Sequence, residues 1–121
     1  MLAVELHSHS ADSHDGRDSV ERMLAYASRN GLDAIAITDH DVIEASLRAV
    51  DLAPEYGLVA IPGIEVSSEA GHVLALGVDE LVPKGLSFAE IHGSRTPVRV
   101  TLRQASGTAK RHAKAQFDRL L

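Results

Sequence analysis

Apolar and polar positions alternate briefly at the start of the chain, with Val4 and Leu6 between Glu5 and His7, the pattern of a half-buried strand. A helix is predicted next. Asp18 or Ser19 can cap it, Glu21 is placed to reach back toward Asp18, and Val20, Met23, Leu24 and Ala27 fall at i, i+3, i+4 and i+7 before the stop at Asn30-Gly31. The run "LDAIAIT" is β-branched and almost wholly apolar, as suits a strand covered on both faces. A second helix is predicted from Val42 to about Leu52, with Ile43, Leu47 and Val50 on one side and an end before Pro54. "LVAIPGIEVSS" and "HVLALGVD" read as further strands, punctuated by Pro62-Gly63 and by Glu69-Ala70-Gly71. Strand, helix, strand, helix, strand predicts parallel pairing through right-handed crossover helices, an α/β fold.

Composition narrows the chemistry. The 121 residues form one domain at most, and with aromatics at only 3% the core must come from Ala, Val, Ile and Leu. There is no cysteine, so disulfides and thiolate chemistry are excluded and any metal must be held by imidazole and carboxylate. Neither a leader nor an apolar stretch of the roughly 18 residues needed to span a membrane is visible, which predicts a cytoplasmic protein without membrane partners. Charge is distributed unevenly. Residues 1–91 carry 16 Asp or Glu against 5 Lys or Arg, whereas residues 92–121 carry 7 Lys or Arg against Asp118 alone. Such an acidic body, with Lys84 as its one lysine, suits the high-salt cytoplasm of a halophilic or archaeal cell, where salt screens self-repulsion.

Candidate chemistry gathers at the predicted strand ends. His7 and His9 close the first strand, Asp39 and His40 the second, Glu65 lies toward the end of the third, and His72 opens the next. In α/β sheets and barrels functional groups collect at the carboxyl ends of strands. Taken singly, each has an ordinary explanation: a solvated histidine pair, a turn former at Asp15, a helix cap and an exposed imidazole at Asp39 and His40. Glu65 is harder to dismiss, because a carboxylate inside "IPGIEVSS" needs a cation or strong donors. Two histidines two residues apart on a strand share a face and can grip one ion. A carboxylate among imidazoles suits Mn, Zn or Fe, can bridge two ions, and fits phosphate-ester hydrolysis through an activated hydroxide. In that arrangement Asp39 orients an imidazole rather than meeting metal.

The segments "HSHSADSHDG", "GLDAIAITDHD" and "IPGIEVSS...GHVLALGV" resemble the first three motifs of the PHP (polymerase and histidinol phosphatase) family of metal-dependent phosphoesterases. The likeness covers about residues 4–86 and is nearer to small stand-alone prokaryotic members than to polymerase-appended domains. The resemblance implies the N-terminal part of a distorted (β/α)7 barrel and up to three divalent ions. His7 and His9 would hold the first ion, Glu65 would bridge it to a second that His72 also binds, and Asp15 and His40 would hold the third. His14 is left outside this set, and Arg17, beside the turn, is the cation chosen to meet a phosphate. The implied substrates are phosphomonoesters, nucleotides or short nucleic-acid 5′ ends.

The chain departs from the family pattern after "KGLSFAEI", where the later His-Pro and Asp-x-His motifs are missing. Residues 1–91 are therefore assigned as the domain and 92–121 as a basic tail, read as a frameshifted or truncated end, with His92 and His112 outside the site. Two alternatives follow: an inactive fragment that binds metal or a partner, self-associating through open sheet edges, or a nucleic-acid-binding module using the tail. The acidic body disfavours long nucleic acid as substrate.

Overall fold

The computed structural model describes residues 1–93 and the backbone of residues 99–103. The expectations for the basic tail, including the side chains of His92 and His112, lie outside the described residues apart from the backbone of one strand. In chain order the elements are β1 (Val4–Ser8), α1 (Val20–Arg29), β2 (Ala34–Ile37), α2 (Glu44–Leu52) with a 3-10 turn at Ala53–Tyr56, β3 (Val59–Ala60), β4 (Gly63–Ser68), β5 (Gly71–Leu76), α3 (Phe88–Gly93) and β6 (Arg99–Arg103).

Helix α1 starts where Ser19 accepts a hydrogen bond from the Arg22 backbone N–H and buries Val20, Leu24 and Ala27. It stops at Asn30, followed by Gly31 at φ 78°, a conformation that favours glycine. Glu21 does not reach back to Asp18 as predicted. It pairs with Arg48 of α2, while Asp18 pairs with Arg22 at 3.5 Å. In α2 the buried residues are Ala45, Ser46 and Ala49, and of the predicted side Ile43, Leu47 and Val50 only Val50 faces away from a core. The two alanines pack with Leu24, Ile35 and Ile37, letting the helix lie close to β2, whereas Val50 is 37% exposed. Ile43 and Leu47 meet the second core, with Ile64, Val66 and Val73. As expected, α2 ends at Leu52, before Pro54, and the chain then tightens into the 3-10 turn that stops at Gly57.

β1, β2 and β3 form a parallel sheet in that order, with α1 and α2 as crossovers. Here the α/β expectation holds. Val4 and Leu6, however, are each 42% exposed: alternation identifies a strand, but burial also needs a covering layer, which the described residues do not supply over β1.

The second sheet departs from the parallel expectation. β4 and β5 pair antiparallel from Gly63↔Leu76 to Ser68↔Gly71, and β5 pairs antiparallel with β6. Only Glu69 and Ala70 separate β4 from β5, and a link that short can join antiparallel strands but not parallel ones. The run "LVAIPGIEVSS" is itself one bent path along β2. The Ile61 N–H donates to the Ile35 carbonyl (2.8 Å) and that of Glu65 to the Asp39 carbonyl (3.0 Å). Between them Pro62 has no N–H to give, and the Gly63 N–H turns to the Ser46 hydroxyl of α2 (2.8 Å). The two sheets thus meet at an isolated parallel bridge between His40 and Glu65.

Candidate metal centre

Three backbone devices bring the candidate side chains together. First, β1 is irregular against β2: Glu5 is opposite Ile35 but Ser8 is opposite Ile37. One strand therefore carries an extra residue, which re-aims the side chains that follow. Second, the loop after β1 is tied inward by Asp39, whose carboxylate accepts from the Ser10 N–H (2.6 Å) and the Ser10 hydroxyl (2.5 Å). Gly16 closes the loop so tightly that a Cβ there would lie 1.9 Å from the Ser10 carbonyl oxygen. Third, Asp41, at φ 57°, accepts from the Ser67 N–H (2.8 Å) and hydroxyl (2.7 Å). That clamp fixes the end of β4 beside the end of β2.

Glu65 sits at the centre of the resulting cluster and is only 4% exposed. Its two oxygens face different partners. Oε1 lies 2.5 Å from His7 Nε2 and 3.2 Å from His9 Nε2, while Oε2 lies 3.4 Å from His72 Nδ1 and 3.5 Å from His40 Nδ1. Asp15 is the second, more exposed carboxylate, 3.1 Å from His9 Nδ1 and 3.0 Å from His40 Nε2, and it accepts from the Ser13 hydroxyl at 2.7 Å.

The donor set fits divalent cations. Three overlapping groups have their ligand atoms within 4.8 Å of one another: His7, His9 and Glu65; His9, Asp15 and His40; and His40, Glu65 and His72. His40 Nδ1 and His72 Nδ1 are buried without a hydrogen-bond partner, a costly state that a cation would relieve. A neutral imidazole has one lone pair, so His9 and His40 can each serve only one ion. Partitioned with each imidazole used once, as the resemblance implies, the cluster offers three donors to the first ion and two to each of the others. Nitrogen and oxygen ligands without thiolate suit Zn, Mn or Fe.

Electrostatics favour the ligand forms. Burial lowers the pKa of His9 against the raising influence of Asp15 and Glu65, which favours the neutral, lone-pair-bearing ring. Burial opposes ionisation of Asp15, but the Ser13 hydroxyl and the His40 imidazole, with the charges of His9 and His40, outweigh it and hold the carboxyl at about 2. Asp39 is the opposite case: burial raises its pKa against the two Ser10 hydrogen bonds.

Of the residues singled out in the sequence, His7, His9, Asp15, His40, Glu65 and His72 all line one cleft of about 240 Å³. Asp39 does not orient an imidazole through a hydrogen bond. Its carboxylate is taken up by Ser10, so it shapes the loop instead. Among the described residues the carboxylate that touches imidazole nitrogens beside Glu65 is Asp15. Arg17 is exposed and is not among the lining residues. His14, set aside in the sequence, does line the cleft, and its ring lies 4.7 Å from that of His40. The signal that marks it is its position inside the tight Ser13-to-Gly16 turn.

Comparison with known proteins agrees with this geometry. Residues 5–115 match the PHP domain family. An uncharacterised protein of Methanocaldococcus jannaschii is 32% identical over 99 residues, covering 74% of this chain and 58% of that protein. A phosphoribosyl 1,2-cyclic phosphate 1,2-diphosphodiesterase of Eggerthella lenta is 36% identical over 128 aligned positions, 99% of this chain and 43% of that protein. Among solved structures, a two-domain protein from Bacteroides vulgatus containing a predicted PHP-like metal-dependent phosphoesterase superposes with a TM-score of 0.57 at 25% identity, covering 95% of this chain and 32% of that one. The chain thus spans about half of the length of these two curated relatives.

Proposed function

Since the chain belongs to the PHP domain family, we propose that it acts as a metal-dependent phosphoesterase on small phosphorylated substrates, phosphomonoesters or nucleotides. The observation that carries this reading is Glu65, a buried carboxylate with each oxygen turned to a different pair of imidazoles, the arrangement expected of a bridge between two cations. The relatives support it, since one is named as a phosphodiesterase and another contains a predicted phosphoesterase.

Bound cations would supply Lewis-acid charge to the phosphoryl oxygens and a place where water is readily deprotonated. The protein's share is placement. Glu65, with His7 and His9 on one oxygen and His72 on the other, would hold two positive centres at a fixed spacing. Asp15 and His40 would hold a third, and the Ser13 hydroxyl keeps the Asp15 carboxylate turned toward it. Zn, Mn and Fe all fit this donor set. A cleft of about 240 Å³ lies below the usual range of roughly 300–1,000 Å³ for drug-sized ligands, which favours a small phosphorylated group over a polymer. The acidic body likewise offers no basic track for nucleic acid. No described helix is long and apolar enough to cross a membrane.

A second reading is favoured by the donor count. With two protein donors for each of two ions, the chain would bind metal without efficient turnover, as a part that needs further ligands. Elemental analysis of the purified chain, alongside hydrolysis of a chromogenic phosphomonoester with added Mn²⁺ or Zn²⁺, separates the two. Two or more ions per chain with metal-dependent hydrolysis supports the phosphoesterase. Ions without hydrolysis supports the incomplete site, and no stoichiometric metal would sink both.

A further inference from the structure

Among the described residues seven side chains line the cleft, and six of them belong to at least one of the three ligand groups. His14 belongs to none. It is exposed at the cleft, and its ring lies beside that of His40, 4.7 Å away at an interplanar angle of 33°. Among the described residues, the cations that might otherwise meet an anion are engaged elsewhere or absent from the lining: Arg48 pairs with Glu21, Arg22 with Asp18 and Tyr26, and Arg17 does not line the cleft. Among the described residues an anion entering therefore finds six prospective metal ligands and one imidazole with hydrogen-bonding capacity to spare. The turn fixes the backbone from which that imidazole projects, because the Gly16 N–H donates to the Ser13 carbonyl (3.1 Å) and the Ser13 N–H to that of Ser10 (3.0 Å).

We propose that His14 is a substrate-contacting residue whose ring N–H donates a hydrogen bond to a non-bridging oxygen of the bound phosphoryl group. This rests on the phosphoesterase reading and extends it. The cations would bind phosphate from within the cleft, and His14 would grip it from the rim. The His40 ring at its side limits the orientations His14 can take, so the donor is partly positioned before substrate arrives. A phosphate dianion is the ligand this donor suits, since hydrogen bonds to charged acceptors are the strong ones.

The test uses the full chain loaded with Mn²⁺ and inorganic phosphate as the probe, with affinity read by titration calorimetry and metal per chain by elemental analysis. His14→Phe keeps a ring against His40 but has no donor, while His14→Gln keeps a donor. The expected result is unchanged metal content in both variants, phosphate binding weakened about tenfold in His14→Phe, and a loss of less than about threefold in His14→Gln. Equal affinity in wild type and His14→Phe would overturn the proposal, as would equal weakening in the two variants, which would make the ring contact the cause. Reduced metal content in His14→Phe would also overturn it, by making His14 a metal ligand. If the metal-loaded wild type binds no phosphate, the phosphoesterase reading fails and takes the proposal with it, an outcome distinct from failure in the variants alone.

Discussion

Asp39 and Ser10 are joined twice in the interior: the carboxylate accepts the Ser10 N–H at 2.6 Å and the Ser10 hydroxyl at 2.5 Å, with Asp39 1% and Ser10 2% exposed. One residue ends β2 and the other begins the loop after β1, so this pair ties the two ligand-bearing segments together. Asp39→Ala leaves two buried donors without an acceptor. The expected cost is about 2–3 kcal/mol, read from urea midpoints, with Asp39→Asn losing less because it keeps one acceptor. A change within 0.5 kcal/mol, the size typical of a surface substitution, would show that the tie does not hold the loop.

Glu65 places function against stability. Without cations, a buried carboxylate among imidazoles carries a desolvation cost; with them, it is the shared ligand. Glu65→Gln should therefore raise the melting temperature of the chelator-treated protein and lower that of the metal-loaded protein, with metal affinity reduced at least tenfold. A variant that melts below wild type in both states would assign Glu65 a purely structural role.

Acid sensitivity follows from His9. Its folded-state pKa lies below 6.5, chiefly because of burial. Below pH 6.5 the unfolded chain binds a proton there that the native protein resists, so stability falls as pH drops and is level above that point. Metal-stripped wild type should lose stability progressively as pH falls below 6.5, and His9→Asn should flatten that slope. An identical slope in the variant would place the titration elsewhere.

Gly16 is a position where one methyl group should disable the site without touching a ligand. A Cβ there would lie 1.9 Å from the Ser10 carbonyl oxygen, so the turn carrying Ser13, His14 and Asp15 must move. Gly16→Ala is expected to cost about 1–3 kcal/mol and to lower metal content, whereas Gly31→Ala, with open space around its Cβ, should leave metal content unchanged. Full metal content in Gly16→Ala would mean that the turn tolerates rearrangement.

The exposed pair Arg48 and Glu21 marks the other extreme. Glu21→Ala should shift stability by less than about 1 kcal/mol, and by less still at high salt. A larger loss in a thermal melt would mean that this contact aligns α1 with α2.

The parts of the fold legible in the sequence are those set by short-range chemistry. The Ser19 cap, the Val20-Leu24-Ala27 stripe and the Asn30-Gly31 stop lie within one helix and can be seen in ten residues. In α2 the apolar side Ile43 and Leu47 is legible and meets a core, whereas the second face, Ala45 and Ala49 against β2, is not, because small residues give little hydrophobic signal when no neighbour is in view. The β4–β5 pairing was missed although its signal was present, since a two-residue link admits one direction only. Within the site, residue types and strand-end positions mark His7, His9, His40, Glu65 and His72, while Asp15, in a turn, enters the ligand set only through the family resemblance. Partners set by three-dimensional approach, such as Asp39 with Ser10 and His14 with His40, carry no periodicity to read.

The bend at Pro62 also limits how this protein could be altered by insertion or deletion. Side chains along a strand alternate between faces, so removing one residue from the Ile61-to-Gly63 link would turn Glu65 outward and bring Ile64 or Val66 toward the cations' place, while barely changing composition. The length of this link is therefore more constrained than its chemistry. The Lys84–Gly85 turn is a poor alternative for loop grafting, because the Gly85 N–H donates to the Ser67 carbonyl at 2.7 Å, and Ser67 is the strand partner of His72.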